Sequence, residues 1–197
     1  MLAGDFRQPA ETVLPTDEEL ARGVQRGSRR DLASLVERHH GPLLGFLYRM
    51  CGGDRALAED LTQETFLRVL RAIRQYHYPR PFKPWLYAIA TNAARDHFKL
   101  AEIRHADSEA DNSSVWDAAA DPSTGPEASA LIGDEAQQVV VAVSALPMHQ
   151  REAVILRYYQ DLSLAEIADT LGVPVGTVKS RISLGLKRLR SLLKDEG

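Results

Sequence analysis

The sequence contains very little of several features that would point to other classes of protein. It has one cysteine among 197 residues, Cys51, so no disulfide can form within the chain, and no cluster of cysteines and histidines suggests zinc. No apolar run approaches the roughly 20 residues of a membrane span, and the first residues lack the basic-then-apolar pattern of a secretion signal. We therefore expect a cytoplasmic protein without membrane insertion, cofactor or metal.

Motifs that carry enzyme chemistry are also missing. The chain has no G-x-x-x-x-G-K phosphate loop, no H-E-x-x-H zinc motif and no G-x-S-x-G nucleophile elbow, and its six histidines are scattered. Asp60 and Glu64 form a carboxylate pair suited to acid–base work, but no phosphate loop or metal cluster accompanies them. The sequence shows no paired strands, hairpin turns or internal repeats. These observations predict an all-α protein that is not an enzyme.

A strong local pattern near the C-terminus predicts a helix-turn-helix. Ser163 and Glu166 have the spacing of a capping box, Gly172 ends the first helix, and Pro174 precedes the second. The second helix has no acidic residue between Val175 and Lys194 and six basic ones, Lys179, Arg181, Lys187, Arg188, Arg190 and Lys194. Such a helix is typical of contact with DNA phosphates. The alternative is an ordinary helical hairpin with a solvated basic face.

The net charge of −3 is unevenly distributed. Residues 102–135 contain nine acidic residues and one basic residue, a local charge of −8, so the rest of the chain carries +5. Residues 101–125 also lack a helical stripe, which predicts a flexible acidic linker. It would join two small helical domains, residues 16–100 and 126–197, after a flexible tail at residues 1–15.

Apolar spacing divides the first domain into helices. Thr16 and Glu19 are expected to cap a short first helix that ends near Arg26, and Ser28 a second helix that Gly41 and Pro42 bend or interrupt. Asp54 is expected to cap the next, which would end near Arg74, and a fourth helix would run from Trp85 to about Leu100. The third helix is predicted to face inward through Leu57, Leu61, Leu67, Leu70 and Ile73.

Basic and aromatic residues are interleaved between Arg68 and Lys99. This window holds seven basic residues, one acidic residue and six of the chain's 13 aromatic residues. Single-stranded nucleic acid binds to such surfaces, because rings stack on exposed bases while cations contact the backbone. Core packing is the simpler interpretation for Trp85, whereas Tyr76, His77 and Tyr78 are predicted to contact nucleic acid.

Three segments together resemble the extracytoplasmic-function (group IV) sigma factors of bacterial RNA polymerase. They are ALAEDLTQETFLRVLRAI, FKPWLYAIATNAARDHFK and the segment from LPMHQREAV to LGLKRLR, in that order. The resemblance spans about residues 17–100 and 127–194. It implies sigma region 2 in the first domain, sigma region 4 in the second, and an alternative sigma factor that directs core polymerase to specific promoters and initiates transcription.

The resemblance also implies three groups of binding residues. Docking on the clamp helices of the largest polymerase subunit would involve Asp60, Leu61, Gln63, Glu64 and Phe66. Opening of the −10 element and capture of its non-template strand would involve Tyr76, His77, Tyr78, Arg80, Lys83, Asn92, Arg95 and Lys99. Reading of the −35 element as duplex would involve Thr177, Lys179, Ser180, Arg181, Ser183 and Lys187.

Some positions depart from the family pattern. Ser183-Leu184-Gly185 replaces a segment that commonly contains arginine and alanine, and Gly185 costs a helix about 1 kcal/mol relative to alanine. The −35 preference therefore does not transfer. Members are commonly held by an anti-sigma factor, which is the further partner expected besides core polymerase and promoter DNA. No extension follows Gly197, so a fused sensory domain is not expected.

Two other functions compete with this interpretation. A stand-alone helix-turn-helix regulator would use only the C-terminal reader, and would not require the acidic face or the basic–aromatic segment of the first domain. An adaptor without DNA contact conflicts with the acid-free helix after Val175.

Overall fold

The structure is a computed structural model that describes residues 14–109 and 134–193. Within these ranges the chain is helical and contains no strand. The helices are α1 (Asp17–Gln25), α2 (Arg29–Met50), α3 (Arg55–Ala72), α4 (Phe82–Glu109), α5 (Asp134–Ser144), α6 (Met148–Tyr158), α7 (Leu164–Leu171) and α8 (Val175–Leu192), with a 3₁₀ turn at Ile73–Gln75. We call α1–α4 the N-terminal unit and α5–α8 the C-terminal unit. The predicted tail up to residue 13 and the predicted linker from residue 110 lie outside the described residues.

Helix α2 forms the centre of the N-terminal unit and runs without a break through Pro42. Of the two predicted outcomes at Gly41 and Pro42, a bend or an interruption, the interruption is therefore wrong. A proline inside a helix removes one hydrogen bond and costs about 3 kcal/mol. Burial of Leu43, Phe46 and Leu47, which have no exposed surface, offsets this cost because helices in proteins draw most of their stability from tertiary packing.

Helix α3 and the turn that follows it bury part of the predicted face, including Ile73, which is buried, and Leu57, which packs against the core. Leu61 is buried as expected, but Leu67 is 48% exposed and Leu70 is 39% exposed. Small residues line the buried side instead, and the hydroxyls of Thr62 and Thr65 donate to the carbonyls of the residues four positions earlier at 2.7 Å. Threonine can be buried in this way because its hydroxyl is satisfied within its own helix. The apolar pattern was therefore right for Leu57, Leu61 and Ile73 and wrong for Leu67 and Leu70.

Helix α4 extends to Glu109, beyond the predicted end near Leu100. The acidic composition after residue 100 indicated a linker, but it did not stop the helix. Alanine, glutamate, isoleucine and arginine follow Leu100, and none of them breaks a helix. The linker prediction is therefore wrong for residues 101–109.

The helix-turn-helix has the predicted local structure. The Ser163 hydroxyl accepts from the Glu166 amide at 3.2 Å, and the Glu166 carboxylate accepts from the Ser163 amide at 2.8 Å. Gly172 closes α7 in the left-handed region with a φ of 65°, and Pro174 caps α8. Burial of Val178 and Ile182 then fixes which side of α8 faces away from the protein.

Gly185 permits a close crossing between α8 and α6. A Cβ at this position would lie 2.8 Å from Cγ2 of Val154, closer than real contacts allow. Gly185, which departs from the family pattern, is therefore explained by packing: the close contact between the two helices offsets the poor helix propensity of glycine.

The two units pack against each other. Helices α2 and α4 of the N-terminal unit contact α5, α6 and α7 of the C-terminal unit, and buried residues of both units form one hydrophobic cluster. No helix in the described part of the chain is long and apolar enough to span a membrane.

Candidate nucleic-acid interface

The outer face of α3 carries the residues predicted to dock on polymerase. Asp60 and Gln63 are exposed, and Glu64 and Phe66 are half-buried. Leu61 is only 6% exposed and belongs to the core, so its prediction as a surface contact is wrong: it sits on the side of α3 that packs inward. Leu67, which was predicted to face inward, is exposed instead and lies one helical turn after Gln63 and Glu64. The face is therefore acidic with an apolar extension.

Glu64 is held by two arginines. Its Oε1 lies 2.8 Å from Nε of Arg68 and 3.8 Å from a terminal nitrogen of Arg71. The hydrogen bond from Arg68, followed by the charges of both arginines, lowers the pKa of Glu64. Arg68 also binds Asp96 of α4 at 2.7 Å. Glu64 thus remains ionised on the surface. These ion pairs connect the residues of α3 that are predicted to bind polymerase with the residues of α4 that are predicted to bind nucleic acid.

Tyr76 is not available to stack on a base. It is 3% exposed, its ring packs 5.2 Å from Trp85 and 5.8 Å from Phe82, and its hydroxyl donates to the carbonyl of Arg80. Burial raises its pKa to about 12. The sequence prediction of a nucleic-acid contact is wrong for this residue, because its ring packs into the core against Trp85 and Phe82 and its hydroxyl binds the loop backbone.

The remaining loop residues are accessible. His77, Tyr78 and Arg80 are exposed, and the guanidinium of Arg22 lies 5.1 Å from the ring centroid of Tyr78. An exposed ring beside cations matches the requirement for holding single-stranded nucleic acid. Tyr78 is the residue of this loop best placed to stack on a base.

The four candidates on α4 fall into two pairs. Asn92 and Lys99 are exposed. Lys83 and Arg95 are bound by the C-terminal unit: Nζ of Lys83 donates to the carbonyl of Gln160 at 2.6 Å, and Arg95 donates to both carboxylate oxygens of Glu152 at 2.5 and 2.6 Å. Their partners lie too far away in the chain for sequence periodicity to identify.

Helix α8 presents its predicted outer face. Lys179, Ser180, Ser183 and Lys187 are exposed, and Thr177 and Arg181 are half-buried. The Ser180 hydroxyl donates to the carbonyl of Thr177 at 2.9 Å. Leu184 lies within this face and is 53% exposed. An apolar side chain in a basic face is suited to contact with an apolar base edge, for which the thymine methyl is the usual partner.

Together these features define a class of helical protein with two candidate nucleic-acid-binding surfaces, one carried by a loop and helix and one by a helix-turn-helix. Residues 35–102 match the family model described as Sigma-70 region 2. Residues 136–189 match the model described as Sigma-70, region 4. The two matches cover more than half of the chain and correspond to the N-terminal and C-terminal units.

Relatives and a solved structure agree with these matches. The chain is 34% identical to RNA polymerase sigma-H factor of Pseudomonas aeruginosa, over 84% of this chain and 88% of that protein. It is 31% identical to ECF RNA polymerase sigma factor SigW of Bacillus subtilis, over 87% and 94%. The solved structure of CnrH in complex with the cytosolic domain of CnrY superposes with a TM-score of 0.70 at 25% identity, covering 92% of this chain and 99% of that one. The chain belongs to the extracytoplasmic-function group of the sigma-70 family.

Proposed function

We propose that this protein is an alternative sigma factor that directs core RNA polymerase to specific promoters in the cytoplasm. The observation that carries the proposal is that two units matching sigma regions 2 and 4 occur in one chain, each with an accessible surface of suitable chemistry. The protein has no catalytic activity of its own in this proposal. The polymerase synthesises RNA, and the sigma factor selects the start site.

The N-terminal unit docks on polymerase and opens the promoter. The acidic face of α3, with Asp60, Gln63, Glu64 and the exposed Leu67, contacts the clamp helices of the largest subunit. His77, Tyr78 and Arg80 hold the non-template strand of the −10 element together with Asn92 and Lys99 of α4. Extraction of bases from the stack costs a few kcal/mol, which stacking and backbone cations must offset.

The C-terminal unit binds the −35 element as duplex. Helix α8 lies in the major groove, with Thr177, Lys179, Ser180 and Arg181 in its N-terminal half and Lys187 on the phosphate backbone. Recognition helices of this type contact base edges through their first turns. Ser183 and Leu184 then replace the side chains common in the family. The −35 sequence therefore differs from the one that is read by members with an arginine side chain in this segment.

An anti-sigma factor is the proposed regulatory partner. CnrH, which resembles this chain over nearly its whole length, was solved in complex with the cytosolic domain of CnrY. An inhibitor that holds both units would cover the −10 and −35 surfaces together.

Transcription in vitro tests the function directly. The purified chain is added to core polymerase on fragmented genomic DNA, and RNA 5′ ends are mapped. We expect starts that require the chain and share two sequence elements at the −10 and −35 positions. Binding of the chain to duplex DNA without any polymerase-dependent start would instead support the stand-alone regulator.

A further inference from the structure

Helix α1 contacts the loop that carries Tyr78 through three polar side chains. We call this loop, residues 73–82, the −10 loop. Glu18, Arg22 and Gln25 are spaced by four and then three residues, so they lie along one face of α1. Leu20 and Ala21 are buried against the rest of the N-terminal unit. The proposed function gives no role to the polar face of α1.

Gln25 ties down the start of the −10 loop. Its Nε2 donates to the carbonyl of Ile73 at 2.8 Å and to the carbonyl of Tyr76 at 2.6 Å. A primary amide has two N–H donors, so this side chain uses both of them on the loop. Two neighbouring carbonyls of the loop are therefore fixed on α1.

Glu18 ties down the end of the −10 loop. Its Oε1 accepts from the amide of Phe82, the first residue of α4, at 3.0 Å. The first amides of a helix have no partner within it, and the helix dipole favours a negative charge at this end. Glu18 thus caps α4 from a different helix, and α1 holds the −10 loop at both ends.

Arg22 sets the position of the exposed ring in the −10 loop. Its guanidinium carbon lies 5.1 Å from the ring centroid of Tyr78, and Tyr78 is 47% exposed. A cation over a ring face is attracted by the quadrupole of the ring. Because Arg22 covers one face of the Tyr78 ring, a base can stack on the other.

The −10 loop depends on α1 for most of its side-chain support. Within the loop, the Tyr76 amide donates to the carbonyl of Ile73 at 3.1 Å and the Arg80 amide to that of His77 at 2.8 Å. Among the described residues, four side-chain hydrogen bonds reach the loop backbone, three from α1 and one from Tyr76. The conformation of the loop is therefore set from outside as well as by its own residues.

We propose that α1 is the positioning element of the −10 loop: Gln25 and Glu18 fix its two ends, and Arg22 holds Tyr78 with one ring face open to a base. The inference rests on the proposed function, since it names the residues that prepare the −10 surface for the strand. A preformed site has less ordering to do when it binds, so release of the loop lowers affinity. The three residues act through the loop, without contacting DNA themselves.

The first test measures the loop in the free full chain, without polymerase or DNA. Gln25→Glu keeps the shape of the side chain and removes both donors. We expect hydrogen exchange of the Arg80 amide, followed by NMR, to become about tenfold faster, as the loss of two hydrogen bonds allows. This amide bonds to His77 and not to Gln25, so its faster exchange reports release of the loop as a whole.

Glu19→Ala is the matched control for the exchange measurement. It removes the capping bond to the Thr16 amide, at 2.9 Å, and so weakens α1 at an exposed position that does not face the loop. The Arg80 amide should exchange in this variant as it does in the parent.

The second test measures binding of the full chain to a fluorescein-labelled single strand of mixed sequence, about 15 nucleotides long. Gln25→Glu should weaken binding by about threefold to tenfold, because the strand must then order the released loop. Glu19→Ala should bind as the parent does.

Arg22→Ala separates positioning from direct contact with a phosphate. Positioning predicts weaker strand binding with an unchanged slope of log affinity against log salt concentration, whereas a lost phosphate contact lowers the slope by about 0.7. In a Tyr78→Ala background, Arg22→Ala should have no further effect, because its target ring is missing. Arg26→Ala removes the same charge at an exposed position after the last turn of α1 and should match the parent.

Three results would overturn the proposal. An unchanged exchange rate in Gln25→Glu would show that α1 does not hold the loop. Faster exchange with unchanged strand affinity would show that the held conformation is not the one that binds the strand. A lower salt slope in Arg22→Ala would make Arg22 a phosphate contact instead of a support for Tyr78.

Two further outcomes remain decidable. If Gln25→Glu does not fold, Glu18→Ala releases the other end of the loop, and the exchange rate of the Arg80 amide in that variant decides the proposal. If the parent binds no single strand, the proposed function fails, and the exchange rates still decide whether α1 holds the loop. Failure of the proposed function is therefore distinguishable from failure of this inference.

Discussion

Gly185 shows at the level of one residue why helix propensity is a poor guide inside a packed protein. Alanine would favour the helix, yet its Cβ would lie 2.8 Å from Val154. We expect Gly185→Ala to lower the free energy of unfolding by about 1–3 kcal/mol, the usual cost of overpacking a core. Urea denaturation measures the change.

Gly176 provides the matched control on the same helix. A Cβ there meets no atom within 4 Å, so Gly176→Ala should leave stability unchanged or raise it by up to about 1 kcal/mol. Equal effects of the two substitutions would contradict the close crossing of α6 and α8.

Tyr76 and Tyr78 are two positions apart and are expected to respond to substitution in opposite ways. Tyr76→Ala removes a buried ring and should destabilise the protein by about 3–5 kcal/mol. Tyr78→Ala removes an exposed ring and should change stability by no more than about 0.5 kcal/mol. It should weaken binding of the −10 strand by polymerase holoenzyme by about 1–3 kcal/mol, the range for one stacked base. Undiminished strand binding by Tyr78→Ala would remove the stacking role.

At the level of the element, α3 separates a buried face from the proposed docking face. Asp60→Ala with Gln63→Ala changes two exposed side chains and should leave the fold intact. We expect the affinity for core polymerase to fall by about tenfold or more, equivalent to about 1.4 kcal/mol. Analytical co-elution or interferometry with core polymerase measures it. Glu37→Ala on the exposed side of α2 is the control and should bind as the parent does; parent-like binding by the α3 variant would refute this docking face.

Helix α8 should account for the salt dependence of duplex binding. Each lysine that contacts a phosphate contributes about one unit to the slope of log affinity against log salt concentration. Lys179→Ala with Lys187→Ala should therefore reduce the slope by about two on duplex DNA from a mapped promoter. Arg29→Ala with Arg30→Ala makes the same charge change at exposed positions of α2 and should leave the slope unaltered. If the parent and both double variants have the same salt slope, duplex DNA does not bind to the basic face of α8.

At the level of the whole molecule, acid should weaken the fold through its ion-paired carboxylates. Nε2 of His39 lies 2.8 Å from Oδ2 of Asp17, and a terminal nitrogen of Arg38 lies 3.0 Å from Oδ1 of the same carboxylate. The hydrogen bond from His39, aided by Arg38, lowers the pKa of Asp17 below its ordinary 3.8. A carboxylate with a lower pKa in the folded state stabilises the protein above its unfolded pKa, and that stabilisation is lost as pH falls through the folded value.

Asp17→Asn tests this linkage. We expect it to destabilise the protein by about 1 kcal/mol at neutral pH, and the difference from the parent to shrink as the pH falls below about 4 and through the lowered pKa of Asp17. Urea denaturation across this range measures it, with Glu37→Gln as the control for an exposed carboxylate. A difference that stays constant down to pH 2 would rule out the ion pair as its source.

Features that depend only on neighbouring residues could be predicted from the sequence. The capping box of Ser163 and Glu166, the left-handed Gly172 and the cap at Pro174 are all set within a few residues, because caps act on adjacent backbone groups. The helix-turn-helix and its basic outer face were therefore predictable. The same holds for the all-α class, which follows from helical spacing and caps along most of the chain.

Which helix faces are buried depends on packing between distant parts of the chain. Burial of Leu61 and Tyr76, exposure of Leu67, and the continuity of α2 through Pro42 depend on which helices pack together. Arg95 lies 57 residues from Glu152 and Lys83 lies 77 from Gln160, so no local pattern pairs them. The cations of the proposed −10 surface were predictable candidates because charge and spacing are local properties. Packing of the two units determines that Lys83 and Arg95 bind Gln160 and Glu152.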